Sequence, residues 1–125
     1  MSRVAIICGG NYLPSDTGRE ALIATMKLHD ITHVMHGAHE GADMFAHKVL
    51  KAAGLWVLAV PTLPRVHGTT AVLKQQEEMA KMADLLHDAW EPRRPPVCVV
   101  FDGGKACDRM VEIAKRLKFE IVRVK

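Results

Sequence analysis

Hydrophobic positions along the chain fall into five short runs, at residues 4–8, 31–35, 55–60, 97–101 and 119–124, separated by longer amphipathic stretches. The runs are rich in Val, Ile and other apolar residues with little polar alternation, as expected of strands buried on both faces of a sheet. Between them, apolar residues recur at helical spacing. Thr17-Gly18-Arg19-Glu20 matches the T-x-x-E capping box, and the helix predicted after it carries Leu22, Met26 and His29 on one face. A second helix, running to about residue 53, carries Phe45, Val49 and Ala52 and ends in glycine fashion at Ala53-Gly54. A third spans about residues 70–88 with Val72, Met79, Met82, Ala83 and Leu86 inward, and a fourth spans about 106–117 with Met110, Ile113, Ala114 and Leu117 inward. The segment from Ala89 to Pro96 holds three prolines and cannot be helical throughout.

Strands alternating with helices predict an α/β protein with a parallel sheet covered on both faces. With right-handed crossovers, residues 1–125 form one Rossmann-like three-layer sandwich of about five parallel strands in the order 3-2-1-4-5. That order has a consequence for chemistry. Gly9-Gly10 follows the first strand, Gly37-Ala38 the second and Gly103-Gly104 the fourth, so the three turns gather at the carboxyl edge beside the switch point, where open α/β sheets bind ligands.

Composition narrows the classes. Apolar residues make up 49% and charged residues 25%, an ordinary globular balance. The longest apolar run, 55–60, is far short of the roughly 20 residues that cross a bilayer, and the opening residues run straight into a strand pattern. Three cysteines, Cys8, Cys98 and Cys107, are odd in number and lack paired metal-ligand spacing. Reduced thiols and a cytoplasmic location are therefore expected, with no membrane partner. The net charge of +3, without a dense Lys/Arg block, suits an anionic ligand and argues against a nucleic-acid footprint.

The most informative stretch is His36-Gly37-Ala38-His39-Glu40-Gly41-Ala42-Asp43. Two glycines at a strand-to-helix junction let backbone N–H groups approach an anion, and the helix N-terminus adds a partial positive charge of roughly half an electron. The alternative is a turn and nothing more. Asp43 can accept from a ribose hydroxyl or cap loop amides; Asn11 and Tyr12 follow the first glycine pair, where Tyr12 reads best as a loop anchor. His33, His36 and His39 are spaced three apart, but a strand-to-turn transition scatters their side chains and no metal site is expected. His36 and Lys105 remain candidate phosphate partners. Cys107 lies near a helix N-terminus, which lowers a thiol pKa, yet no base partner is identifiable. Lys74, Gln75, Gln76 and Glu77 start a long helix and face either the crevice or solvent.

Taken together, Cys8-Gly9-Gly10-Asn11-Tyr12, the His36 to Asp43 stretch and Phe101-Asp102-Gly103-Gly104-Lys105 resemble the SLOG (SMF/DprA-LOG) superfamily. The similarity is to its branch of small stand-alone YspA-like proteins, which includes bacterial and phage members and has a second motif resembling H-G-[GA]-x-x-G-A-D. The resemblance implies a Rossmann-like protein that senses or processes nucleotides or nucleotide-derived signals. Departures bear on chemistry. The phosphoribohydrolase branch carries P-G-G-x-G-T-x-x-E, where this chain has Ala106-Cys107 for the G-T pair and Met110 for the catalytic Glu; Glu112 is displaced by two positions. Gln75-Gln76 stand where that branch has Arg and Lys. N-glycosidic cleavage needs a carboxylate near the forming oxocarbenium ion and a cation near the phosphate.

The expectation is thus a nucleotide-type ligand held by Gly9, Gly10, Asn11, His36, Gly37, Ala38, Gly41, Asp43, Gly103, Gly104 and Lys105, with no cofactor required. A rearranged nucleoside phosphate N-glycosidase and a nucleic-acid-binding module are the alternatives. Self-association into a dimer or tetramer is expected through the long third helix and the connector around Trp90, Arg93 and Arg94.

Overall fold

A computed structural model describes residues 3–9, 16–37, 42–60, 71–90, 95–101 and 105–124. In chain order the elements are β1 (Arg3–Cys8), α1 (Asp16–Leu28), β2 (Ile31–His36), α2 (Ala42–Ala52), β3 (Trp56–Ala59), α3 (Ala71–Trp90), β4 (Val97–Phe101), α4 (Lys105–Arg116) and β5 (Glu120–Val124). The strands form one parallel sheet in the order β3-β2-β1-β4-β5. This is the Rossmann-like topology that the alternation of elements predicts.

Alternation along the strands divides the core in two. Ala5, Ile7, Val34, Val97, Val99 and Phe101 pack on one face with Leu22 and Met26 of α1 and Ala46 and Leu50 of α2. Val4, Ile6, Cys8, Met35, Cys98 and Val100 pack on the other with Met79, Ala80 and Ala83 of α3 and Cys107, Met110 and Ala114 of α4. Apart from the adjacent Met79 and Ala80, each inward helix position is three or four residues from the next, as a buried stripe requires.

Several expected boundaries shift. α1 already includes Asp16, so the box beginning at Thr17 does not mark its start. β2 extends through His36, and α3 runs on to Trp90, two residues past the expected end. Ala52 is exposed, because the buried stripe of α2 passes through Ala46 and Leu50. Met82 and Leu117 are each more than a third exposed, at the flanks of their stripes. β3 is an edge strand with Trp56 half exposed, not a run buried on both sides. Residues 10–15, 38–41, 61–70, 91–94 and 102–104 lie outside the described residues, and with them Gly10, Asn11, Tyr12, Ala38, His39, Gly41, Arg93, Arg94, Gly103 and Gly104.

The amino edge of the sheet is closed by Arg3. Its side chain is 1% exposed. Nε and Nη2 donate to Pro95 O at 3.1 and 2.7 Å, and Nη1 donates to His29 O at 3.3 Å. Nη2 also donates to Glu120 Oε2 at 3.1 Å. One planar guanidinium thereby ties the starts of β1, β4 and β5 to the end of α1, the multidirectional bonding for which Arg is suited. Nearby, the register slips between Arg3 and Val4, and the Val4 N–H turns to Nδ1 of the buried His87 at 3.3 Å.

Arg3→Ala is expected to lower the unfolding free energy by about 1–3 kcal/mol, since it leaves the part-buried carbonyls of Pro95 and His29 without this donor. Glu120→Gln, at a side chain 37% exposed, is expected to lose under about 1 kcal/mol. Denaturant melts of both variants check this, and equal losses would assign the edge to the ion pair instead of the carbonyls.

Candidate functional site

Parallel pairing brings the carboxyl ends of the strands level. Ile7 pairs with His36, His36 with Ala59, and Cys8 with Val100. The glycine-bearing turns after β1, β2 and β4 therefore leave one edge of the sheet from adjacent strands. Gly9 is half-buried and Gly37 buried at their respective strand ends. α2 opens at Ala42 with Asp43 as its second residue, and α4 opens at Lys105. Because each of these helices follows a strand that ends here, their N-terminal N–H groups and the positive ends of their dipoles belong to this same edge.

Three polar pairs, all missed as pairs in the sequence, pin the edge. On the face covered by α2, His36 Nε2 lies 2.7 Å from Nδ1 of His47, ring edge to ring face at a centroid distance of 4.9 Å. His36 has no exposed surface. As the last residue of β2 it points into the interior toward α2, and a hydrogen bond between two imidazoles needs one nitrogen protonated and the other not. The His36 ring is thus a buried group held by His47. Beside it Phe45 of α2 meets Phe101 of β4 edge to face at 6.4 Å.

On the opposite face Gln75 of α3 is 5% exposed, and its Nε2 donates to Gly37 O at 2.6 Å and also to Val60 O. The two hydrogens of one amide nitrogen thereby reach the ends of β2 and the chain leaving β3. Val60 N donates in turn to His36 O at 2.8 Å. Gln75 and Gln76 are both buried while Lys74 is exposed and Glu77 half-buried, so of the four residues the two glutamines turn to the interior. Parallel strand ends leave carbonyls that no further strand pairs, and a long neutral donor from an overlying helix satisfies them.

Also on this face, Cys8 Sγ and Cys107 Sγ are 2.7 Å apart. The hydrogen bond with Cys107, then that with Cys98, then burial hold the Cys8 thiol far above its ordinary pKa. It stays protonated at neutral pH. Burial in turn lowers the pKa of His33, which lies against Trp56 at a centroid distance of 5.5 Å. His33 and His36, an odd number of residues apart in one strand, face opposite sides of the sheet. Among the described residues no group of three His, Cys, Asp or Glu is arranged to hold a metal.

Where the phosphoribohydrolase pattern has its glutamate, Met110 is fully buried in the core. Glu112 is exposed, in a surface groove with Asp108, Arg109, Lys115 and Arg123. A cleft of about 300 Å³ lies at the other end of the sheet, between α1 and α2, with Met26, Leu50 and Leu55 among its walls. Among the described residues no helix is long and apolar enough to cross a membrane. No protein-family model matches the chain, and no curated protein or solved structure matches it.

Gln75→Leu keeps the volume and removes both donors. It is expected to destabilise the fold by about 1–3 kcal/mol by leaving the buried Gly37 carbonyl and the part-buried Val60 carbonyl without this donor. Hydrogen exchange in the same variant should quicken at Val60, whose N–H belongs to the same cluster. An unchanged unfolding midpoint would mean that the carbonyls find other donors at no cost.

Proposed function

We propose that the chain binds a nucleotide or a nucleotide-derived phosphate ligand at the carboxyl edge of its sheet, as a sensor, carrier or sequestering protein. The observation that supports this best is the adjacency of β1, β2 and β4 in a parallel sheet, which gives their glycine-bearing turns one common edge. In this reading backbone N–H groups at Gly9, Gly10, Gly37, Ala38, Gly41, Gly103 and Gly104 hold phosphate, assisted by the positive ends of α2 and α4. Lys105, the first residue of α4, supplies a full charge. Asp43, in the first turn of α2, accepts from ribose or orders the turn, and Asn11 meets the base. His36 acts through its bond to His47, positioning the end of β2 under Gly37. The resemblance to SLOG proteins supports nucleotides over other phosphates.

N-glycosidic cleavage is the weaker reading, since Met110 is buried and Glu112 lies on an outward surface. Neither offers a carboxylate to a ligand on the glycine turns. Single-stranded nucleic acid is weaker still: it calls for a basic groove with stacking aromatics, and the chain has a net charge of only +3 and 5% aromatic residues.

Thermal-shift measurement with AMP, ADP-ribose, NAD and cyclic nucleotides tests the reading. A cognate ligand at a hundred times its Kd adds about 2.7 kcal/mol, a rise of roughly 5–10 °C for a chain of this size. Lys105→Ala should weaken the phosphorylated ligand and leave the bare nucleoside unaffected. No shift with any of these compounds, and no small molecule in native mass spectra of the purified protein, would overturn the proposal.

Self-association forms part of the same reading. Leu85 is 72% and Met82 37% exposed on α3, and Trp56 is 47% exposed on the edge strand, exposed apolar side chains that a partner copy could cover. Light scattering should give a dimer or tetramer, with Leu85→Glu shifting it toward the monomer; a wild-type monomer at 0.1 mM would remove this part (a concentration on the order of those used for weak dimers).

A further inference from the structure

The geometry points to Cys8 and Cys107 as an intrachain redox modification site: the two thiols close a reversible disulfide that joins the end of β1 to the first turn of α4. Their sulfurs are 2.7 Å apart in the reduced form, about 0.7 Å beyond a disulfide bond. Cys8 is the last residue of β1, and Cys107 is the third residue of α4. Both are held by regular structure and by one packed core, so no hinge or loop rearrangement is needed to bring them together. The contacts given up are Cys107 Sγ to Phe101 O at 3.9 Å, Cys8 Sγ to Cys107 O at 4.0 Å and the hydrogen bond between the Cys8 and Cys98 thiols.

Selectivity among the three cysteines follows from exposure. Cys98 shares the core but is 0% exposed, whereas Cys8 and Cys107 retain 7% and 4%. A small oxidant such as hydrogen peroxide reaches the pair from the carboxyl edge before it reaches Cys98. One thiolate attacks the peroxide and is oxidised to a sulfenic acid, releasing hydroxide. The second thiol then displaces the sulfenic oxygen, which leaves as water once protonated. In total the two thiols give up two electrons and two protons, and the peroxide becomes two waters. Scarcity of the Cys8 thiolate at neutral pH makes closure slow and base-accelerated, since the thiolate is the reacting form. The pair is thus a slow, durable latch. Its chemistry involves the two sulfurs alone and is independent of any ligand at the edge.

Incubating the full chain with hydrogen peroxide, unfolding it, blocking free thiols with a maleimide and mapping peptides by mass spectrometry tests this. The expected product has one Cys8–Cys107 link, is lighter by two hydrogen atoms before blocking and carries maleimide on Cys98 alone. Dithiothreitol reverses it, and closure is faster at pH 9 than at pH 7. The link spans most of the chain, so the oxidised form should melt higher by roughly 5–15 °C. Cys98→Ala should give the same link, and Cys107→Ser should give none. Three maleimide-labelled cysteines after oxidation, a link that includes Cys98, or a link between two chains would overturn the assignment. Because the wild-type protein carries the main measurement, poor folding of a cysteine variant does not blunt it.

Discussion

β1 is the constraint on which the remaining structure depends. It is hydrogen-bonded in parallel to β2 on one side and β4 on the other, and all six of its residues are buried. A strand in this position has no solvent to fall back on, so every backbone group and every side chain must be met by protein. The two half-cores form because its alternate residues point to opposite faces, and the chain changes face between β3 and β4 because β1 needs cover on both. The two ends of β1 are where this demand is hardest to meet. There the ladder stops, and side chains from other elements replace it.

The two ends are met differently. At the amino end the bulge at Arg3 and Val4 leaves a backbone donor that His87 accepts, while the Arg3 guanidinium gathers carbonyls and the Glu120 carboxylate. At the carboxyl end Gln75 supplies two hydrogens to the ends of neighbouring strands. A thiol pair and an imidazole pair lock the helices on either face. A buried donor with several acceptors is stabilising when all are paired and expensive when one is lost. Both edges are therefore places where a single substitution reaches several elements.

The sheet order was legible because it follows from a count of strands, the length of each crossover and the handedness of parallel connections. β4 is an unbroken run of apolar residues, and its bounds agree at both ends with the expectation of residues 97–101. Helix ends were less legible. Gly54 is a left-handed cap visible in the sequence, with φ of 87° and the paired bonds of Gly54 N to Lys51 O and Leu55 N to Leu50 O. Asp30 and Lys118 adopt the same conformation at φ of 57° and 64°, and Lys118 gives no local sign of it. The neighbouring packing of Phe119, whose N–H reaches Ala114 O at 2.9 Å, imposes the turn. The position of the candidate site was readable from glycines at strand ends. Its pinning groups were not: His47, Gln75 and Cys8 become partners of His36, Gly37 and Cys107 through tertiary packing across 11, 38 and 99 residues of chain.

The character of those pins bears on what the carboxyl edge can hold. A primary amide, a thiol pair and an imidazole pair share one property: none places a negative charge there. The Cys8 thiol is kept in its neutral form, and two hydrogen-bonded imidazoles carry at most one positive charge between them. A carboxylate such as Glu120, which partners Arg3 at the amino edge, would oppose an anion if it did the same work at the other. Satisfying strand ends with neutral donors leaves the positive ends of α2 and α4 facing no carboxylate among these groups.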